Sequence, residues 1–387
     1  MNAIQTNIRK LYALSFLRDL IFFIPILVPF WSEWFSMREI FILEAAYAAM
    51  LLIFEIPSGY FADIFGRKKS LIVGSLLGCM GIGIFVFAGT FMGFLIGEMV
   101  IGIGASFISG AEEALAYETV LQSNQADRYK KVQGNIFLSG RIASIFSHAS
   151  GGFLAMLFLR LPFYATFIPF LLAFFISLTL QEPERHVEKF ETWSHFKKIL
   201  QETVSHKKLL FFLIFAAIPP SFFLMSFWLY QKYMIFVEFP LVYFGIVIAA
   251  MSITSGLGSK YAQEIETYLT PKISLVMVPF LATVVWLLLA YTKSIWALLF
   301  FPITSFLWGF FLPVFQDYIQ KMVSSDRRAT ILSIRSFGTR GIFLMFGPFL
   351  GYITDLYTIQ TAFLTSAIIL AVLSGISLLG LRKVGIL

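Results

Sequence analysis

Two things are scarce in this chain of 387 residues: charge, at 13% for Asp, Glu, Lys and Arg together, and cysteine, present once as Cys79. A single thiol excludes a disulfide framework and a cysteine-based metal site. Inside an apolar run, Cys79 reads as a small buried hydrophobe. Histidine is also rare, with four in all. His186, His195 and His206 share one polar stretch, and His148 alone falls in an apolar segment. No His-Glu-x-x-His, Gly-x-Ser-x-Gly or Gly-x-x-x-x-Gly-Lys-Ser/Thr string occurs. Hydrolytic chemistry and ATP-driven transport therefore have no motif to rest on. No enzyme activity, metal or cofactor is expected.

Apolar side chains are abundant: 58% of the residues, with a mean hydropathy of +0.83. That excludes a soluble globular protein and any disordered class. A helix needs about 20 mostly apolar residues to cross a bilayer core of about 30 Å. Twelve stretches qualify: Leu11–Trp31, Ile40–Ala62, Ser70–Ala88, Met92–Val120, Gly134–Leu159, Phe163–Leu180, Leu209–Gln231, Leu241–Ala262, Ile273–Tyr291, Ile295–Gln320, Thr330–Thr354 and Thr361–Leu381. The first is not a signal peptide, because no small-residue cleavage site follows it. Trp31 and Trp34 at its end fit an interfacial belt.

The net charge of +7 does not imply nucleic acid; the cations are sorted by loop. With the N-terminus placed in the cytoplasm, the cytoplasmic loops and termini carry twenty-one of the 29 Lys and Arg residues. The outer loops hold four, Arg38, Arg160, Lys232 and Lys293, and the spans hold Arg18, Arg141, Arg335 and Arg340. The positive-inside rule then puts both termini in the cytoplasm. The expected fold class is an all-α membrane protein with 12 transmembrane helices.

The one long polar stretch, Gln181–Lys208, divides the chain into residues 1–180 and 209–387, two six-helix halves joined by a cytoplasmic linker. The halves echo each other. Asp127-Arg128 matches Asp326-Arg327, Glu118 matches Asp317 and Arg141 matches Arg340, all at an offset of 199. Ser147–Gly152 aligns with Gly347–Tyr352 at an offset of 200. Secondary transporters are commonly built from such repeats, with the substrate site between them near mid-membrane.

Between the second and third spans lies Pro57-Ser58-Gly59-Tyr60-Phe61-Ala62-Asp63-Ile64-Phe65-Gly66-Arg67-Lys68-Lys69. Gly59 and Gly66 would let backbones approach closely, Asp63 is an acceptor near the membrane face, and the three cations anchor the turn. This run resembles the signature between helices 2 and 3 of the major facilitator superfamily, and the chain is closest in style to its bacterial drug- or metabolite-exporter-like members. The resemblance implies two pseudo-symmetric halves and alternating access. It also implies a cytoplasmic gate made of Gly59, Asp63, Gly66, Arg67, Lys68, Glu118 and Arg335. Two exporter patterns differ here. Glu98 occupies the arginine position of Arg-x-x-x-Gly-x-Gly in the fourth span, and Gly-Pro is present only as Gly347-Pro348.

Ionisable side chains inside a membrane cost about 2.5–3.5 kcal/mol each on insertion scales, so they face a cavity or a partner. At about 100° per residue, Glu98, Gly102, Ala105, Ser106, Ser109, Glu112, Glu113 and Ala116 share one stripe of the fourth span. The stripe fits a cavity lining or a close-packed small-residue seam. Glu118 projects oppositely, toward Arg67. Arg141, Ser144, His148 and Gly152 share a face of the fifth span, and Glu44, Ala48, Glu55 and Gly59 one of the second. Ser333, Ser336, Arg340 and Gly347 do so in the eleventh, with Arg335 turned away as a partner for Asp63. Asp19 and Arg18 point about 100° apart and need different partners. The expected network joins Asp19, Glu112 or Glu113 to Arg141, with Arg340 opposite. Two readings remain open: proton loading governed by a moving arginine, and a static ion pair that fixes helix register. Pro219-Pro220 in the seventh span marks an expected bend.

The substrate and proton cavity is thus assigned to Asp19, Glu55, Glu98, Glu112, Glu113, Arg141, His148 and Arg340. The expected partners are a small-molecule substrate, protons and the lipid bilayer, with no nucleic acid, for a monomer in a bacterial cytoplasmic (inner) membrane. Proton-coupled export of an amphiphilic compound or metabolite is the first reading. The alternative is an importer or uniporter of a small organic anion held by paired arginines.

Overall fold

Pro25 decides the first feature of the fold. A proline removes one helical N–H and its ring clashes with the carbonyl four residues earlier. A computed structural model, which describes residues 3–122, 128–183, 201–203, 205–323 and 327–385, shows the consequence. Helix α1 (Ala3–Arg18) stops, and the chain resumes as a 3-10 turn at Ile24–Ile26 and a short α2 (Leu27–Trp31). The first expected span is therefore two pieces.

Six further helices follow before the linker or just after it: α3 (Met37–Phe65), α4 (Arg67–Phe87), α5 (Phe91–Gln122), α6 (Tyr129–Leu157), α7 (Leu161–Leu178) and α8 (Lys207–Phe236). A 3-10 turn at Leu241–Tyr243 leads into α9 (Phe244–Lys260), then come α10 (Ala262–Tyr268) and α11 (Pro271–Tyr291). A last 3-10 turn, Ile295–Leu299, precedes α12 (Phe300–Met322), α13 (Arg328–Leu356) and α14 (Ile359–Lys383). Among the described residues there is no strand, and nine helices are long and apolar enough to cross a membrane. The fifth and eleventh expected spans, α6 and α13, are continuous helices of 29 residues each that carry more polar and charged residues. Helix α8 runs unbroken through Pro219 and Pro220. Of the polar linker, residues 184–200 and 204, with His186 and His195, lie outside the described residues, as do Asp127 and Asp326 of the repeat.

Contacts divide the chain into two units, the first comprising Met1–Phe30, Leu43–Phe190 and Leu241–Ala249, the second the remainder. In the first, α1 packs on α6 and α7, and α4 packs on α5 and α7. In the second, α8 packs on α13 and α14, and α11 packs on α12 and α14. The same pairings recur in the same chain order, as the internal repeat requires. Small residues make the α4–α5 seam. A Cβ on Gly104 would stand 2.9 Å from the Gly74 carbonyl oxygen, and one on Gly81 3.1 Å from that of Gly97. Without a hydrophobic drive between helices in lipid, such close backbone approach supplies the van der Waals contact. The second unit relies more on aromatics: Tyr230 donates to Thr304 Oγ1 at 2.7 Å and accepts from Trp286 Nε1 at 2.9 Å, all three buried. Of the two tryptophans that follow the break, Trp31 is fully buried and Trp34 is exposed.

Candidate functional site

The turn between α3 and α4 begins with a backbone requirement. Gly66 has φ of 115°, a left-handed value that an L side chain rarely adopts. Gly59 has nothing within 4 Å of where its Cβ would be, so the close approach expected of it does not occur. The reversed chain at Gly66 sets Arg67 at the first position of α4, pointing back along α3. Its guanidinium meets Asp63 at 2.6 Å and Glu118 of α5 at 3.4 Å. The α4 N-terminus is closed from elsewhere: Glu182 Oε1 accepts from the Arg67 backbone N–H at 2.8 Å and Oε2 from that of Lys68 at 2.7 Å. A carboxylate there satisfies orphan donors and meets the positive end of the helix dipole. The neighbouring Gln181 is held in turn, its carbonyl accepting from Asn7 Nδ2 at 3.1 Å and its N–H donating to Asn7 Oδ1 at 3.0 Å. The linker therefore leaves the membrane helices tied to this turn. Its far end is tied too, by the Glu202–Arg327 ion pair at 2.6 Å within the second unit.

A second charged cluster lies at the α1 break. Arg18 Nη2 stands 2.6 Å from each Glu112 carboxylate oxygen, with both side chains largely buried. Asp19 follows in a non-helical turn, within electrostatic reach of Arg18, Arg141 and Glu112. It rests on Gly140 of α6, where any Cβ would collide with its Oδ2. The exposed backbone of the break is satisfied by side chains: Ser147 Oγ donates to the Asp19 carbonyl at 3.2 Å, and Phe22 N–H donates to Thr166 Oγ1 at 3.0 Å. Arg141 itself is exposed, its guanidinium 4.8 Å above the Phe137 ring. Arg18, not Arg141, is the partner that Glu112 takes. The two carboxyls on one stripe of α5 split as well, since Glu113 is exposed.

Glu98, expected on that same cavity stripe, is 5% exposed and faces α3. There a Cβ on Gly102 would stand 2.6 Å from the Tyr47 carbonyl oxygen. Glu55 is half-buried, its carbonyl accepting from Ser58 Oγ at 3.1 Å. His148 is half-buried with no hydrogen bond to Nδ1 among the described residues, and its carbonyl lies against Gly245.

In the second unit Arg335 stacks 5.6 Å over the Phe315 ring of α12, and its Nε and Nη1 have no hydrogen-bond partner among the described residues. Arg340 donates to Ser336 one turn earlier. Asp317, the repeat counterpart of Glu118, pairs with Lys321 of its own helix, so the repeat preserves the carboxyl and changes its partner. At the other end of the unit, the Asp355 carboxylate accepts from the Met37 and Arg38 backbone N–H groups, each at 2.8 Å. The residue Ser36 and Glu39 complete a capping box there, at 2.9 and 3.2 Å. The string Ser36-x-x-Glu39 is legible in sequence; Glu182 and Asp355 carry no local signal. Among the described residues no three His, Cys, Asp or Glu gather as a metal would need.

Multidrug resistance protein 1 of Bacillus subtilis (strain 168) is 32% identical over 151 residues, 38% of each chain. An uncharacterised transporter of Buchnera aphidicola subsp. Schizaphis graminum (strain Sg) is 35% identical over 79 residues, 20% of each. These matches thus span well under half the length of either relative. Solved structures match throughout. The nucleoside transporter NupG has a TM-score of 0.78 at 16% identity, covering 99% of this chain and 100% of its own. A bacterial homologue of the human lysosomal transporter Spinster, in an inward-facing and unoccupied conformation, has a TM-score of 0.82 at 14% identity, covering 99% and 98%. At that identity they establish the fold alone. The model of one family matches residues 11–348, most of the chain: this protein belongs to the Major Facilitator Superfamily.

Proposed function

We propose that the chain is a secondary active transporter that exports an amphiphilic compound or metabolite in exchange for protons, by alternating access. Its twelve spans, the first broken, form two pseudo-symmetric six-helix halves, residues 1–180 and 209–387, with both termini cytoplasmic, in a bacterial cytoplasmic membrane, as a monomer. The observation that carries the reading is the cluster at the α1 break: Arg18 bound to Glu112, with Asp19 beside Arg18 and Arg141. Two carboxyls and two guanidinium groups in apolar helices make each proton's affinity depend on where an arginine sits. The Bacillus relative, a multidrug resistance protein, supports the substrate class. Glu55, Glu98, Glu113, His148 and Arg340 are the further groups proposed for the substrate and proton path. Asp63, Gly66, Arg67, Lys68 and Glu118, with Gly59 and Arg335, are proposed as the cytoplasmic gate.

The test is reconstitution in liposomes holding a pH-sensitive dye, with pools of amphiphilic cations, organic anions and sugars. Substrate-driven proton flux that disappears in Asp19→Asn or Glu113→Gln establishes the coupled reading. Substrate flux with no proton movement overturns it. For the gate, Asp63→Asn is expected to abolish transport with normal membrane insertion.

One observation favours the alternative, a small organic anion carried by import or uniport. Arg141 is exposed and, among the described residues, has no carboxylate within ion-pair distance. Its planar donors suit a carboxylate substrate bidentately, with Arg340 as second donor. Wild-type anion uptake by Arg141→Lys and Arg340→Lys variants would sink this alternative.

A further inference from the structure

Helix α3 is capped twice, once by its own sequence and once by another helix. The first four backbone N–H groups of a helix have no intrahelical acceptor. At the start of α3 they belong to Ser36, Met37, Arg38 and Glu39; Ile40 N–H is the first to find one, the Ser36 carbonyl at 3.0 Å. The capping box serves the first and last of the four. Ser36 N–H donates to Glu39 Oε2 at 2.9 Å, and Glu39 N–H to Ser36 Oγ at 3.2 Å. The middle two go to Asp355 in the last turn of α13: Met37 N–H donates to Oδ1 and Arg38 N–H to Oδ2, each at 2.8 Å. This cap is complete only while α13 lies against the end of α3.

The contact continues along both helices. A Cβ on Gly351 would stand 2.6 Å from the Met37 carbonyl oxygen, and one on Gly347 3.1 Å from the Phe41 ring. The Arg38 guanidinium lies 5.9 Å over the Tyr352 ring, and the Phe41 ring 6.1 Å from that of Phe343. All of these residues fall within the second unit, which takes in Trp31–Ile42; from Leu43 on, α3 belongs to the first. The internal repeat makes a twin seam within the first unit. There α6, the counterpart of α13, meets the start of the eighth expected span. A Cβ on Gly152 would stand 2.5 Å from the Val242 carbonyl oxygen, and the His148 carbonyl lies against Gly245.

The glycine contacts act through close backbone approach. Asp355 adds an attraction of another kind, a carboxylate on the positive end of the α3 dipole with two charge-assisted hydrogen bonds. Asp355 and Arg38 are exposed. Water can therefore take the place of the carboxylate when the helices separate, and no donor is left buried. A bond of this type is strong enough to bias the seam and open enough to be remade.

We propose that Asp355 is an outer gate residue: by capping α3 from α13 it biases this seam toward its closed state, and the seam parts and reforms in each transport cycle. The role rests on the alternating access and the topology proposed above, which set this end of α3 outside. It is separate from the cytoplasmic turn at Asp63 and Arg67, and it does not depend on which ion is coupled.

The experiment is double electron–electron resonance on the full chain in lipid nanodiscs, in a Cys79→Ser background, with spin labels at Trp34→Cys and Tyr357→Cys. Both positions are exposed and flank the seam. Two distance populations are expected, a short one with the seam closed and a longer one with it parted. Asp355→Ala is expected to raise the ratio of long to short about tenfold, as the loss of one charge-assisted hydrogen bond would. Asp355→Asn, which keeps one acceptor, should shift it less. Gly351→Ala, which acts on the seam by bulk alone, should shift it in the same direction. A single short distance, unchanged in both alanine variants, overturns the proposal whether or not the protein transports. A shift in Gly351→Ala without one in Asp355→Ala overturns the role of Asp355. In liposomes, linking Arg38→Cys to Tyr352→Cys with a short reducible crosslinker is expected to abolish flux of the substrate pools, and reduction to restore it. Undiminished flux through the linked protein overturns the proposal as well. The expected distance shifts together with substrate flux that moves no proton would leave the gate in place and remove the proton-exchange reading instead.

Discussion

Glu182 binds the turn at Arg67 by its backbone, while the Arg67 side chain is engaged by Asp63 and Glu118. One residue thus joins a helix cap, an ion pair across the α3–α4 turn and a contact to a third helix. Replacing Glu182 by Ala removes the cap of α4 and is expected to cost about 1 kcal/mol. The Gln variant, which still accepts a hydrogen bond, should lose less. Thermal unfolding of the purified variants checks the order, and an Ala variant as stable as the wild type would show that water caps the helix equally well.

The Arg18–Glu112 pair is largely buried, so removing one partner strands the other charge. Glu112→Ala is expected to destabilise by about 3 kcal/mol. The double variant Arg18→Met with Glu112→Leu should recover much of that loss, because it leaves no charge unpaired. Chemical or thermal unfolding in detergent distinguishes the two. A double variant worse than the single one would contradict the pairing.

Two glycines in different helices make a controlled comparison. A methyl at Gly140 collides with the Asp19 carboxylate and stands 2.9 Å from Ser15 Oγ, whereas one at Gly59 meets nothing within 4 Å. Overpacking of a filled site costs about 1–3 kcal/mol. Gly140→Ala is expected to lower stability by that amount and to depress transport by displacing Asp19; Gly59→Ala is expected to leave stability unchanged. Equal stabilities for the two variants would refute the geometry at α1.

Glu266, in the short α10, is half-buried; burial, and then the neighbouring Asp317 charge, raises its pKa. The sign follows from linkage: the folded state holds this proton more tightly than the unfolded chain does. Its stabilising contribution is present below the unfolded value and is lost as pH rises through the folded one. Glu266→Gln should therefore flatten the decline in stability from acidic to neutral pH. Parallel melting curves for variant and wild type across that range would contradict this.

Apolar length set helices along the expected spans, the first of them broken, since a run of apolar residues in lipid satisfies its backbone only as a helix or within a closed barrel. Proline content could have signalled the α1 break: Pro25 sits inside the first expected span. The Arg67–Glu118 contact was legible because helical geometry turns Glu118 away from the stripe, whereas Asp63, expected to partner Arg335, meets Arg67. Gly59 was misread as a close-approach glycine because sequence cannot say what faces an absent Cβ.

Partner choice was the part that no periodicity carried. A side chain's angle on its own helix follows from its residue number, so Glu98, Glu112 and Glu113 could be set on one stripe of α5. Which neighbour each meets depends on how helices distant in sequence cross. That crossing set Glu112 on Arg18 and Glu182 on the α4 N-terminus, across more than a hundred residues of chain in the last case. Composition and hydropathy determined by themselves that this is a helical membrane protein, and the residue matches at offsets of 199 and 200 gave it a repeated design. Only the packing decided which charges pair, because an ion pair's energy depends on a few ångströms between helices that the chain does not connect directly.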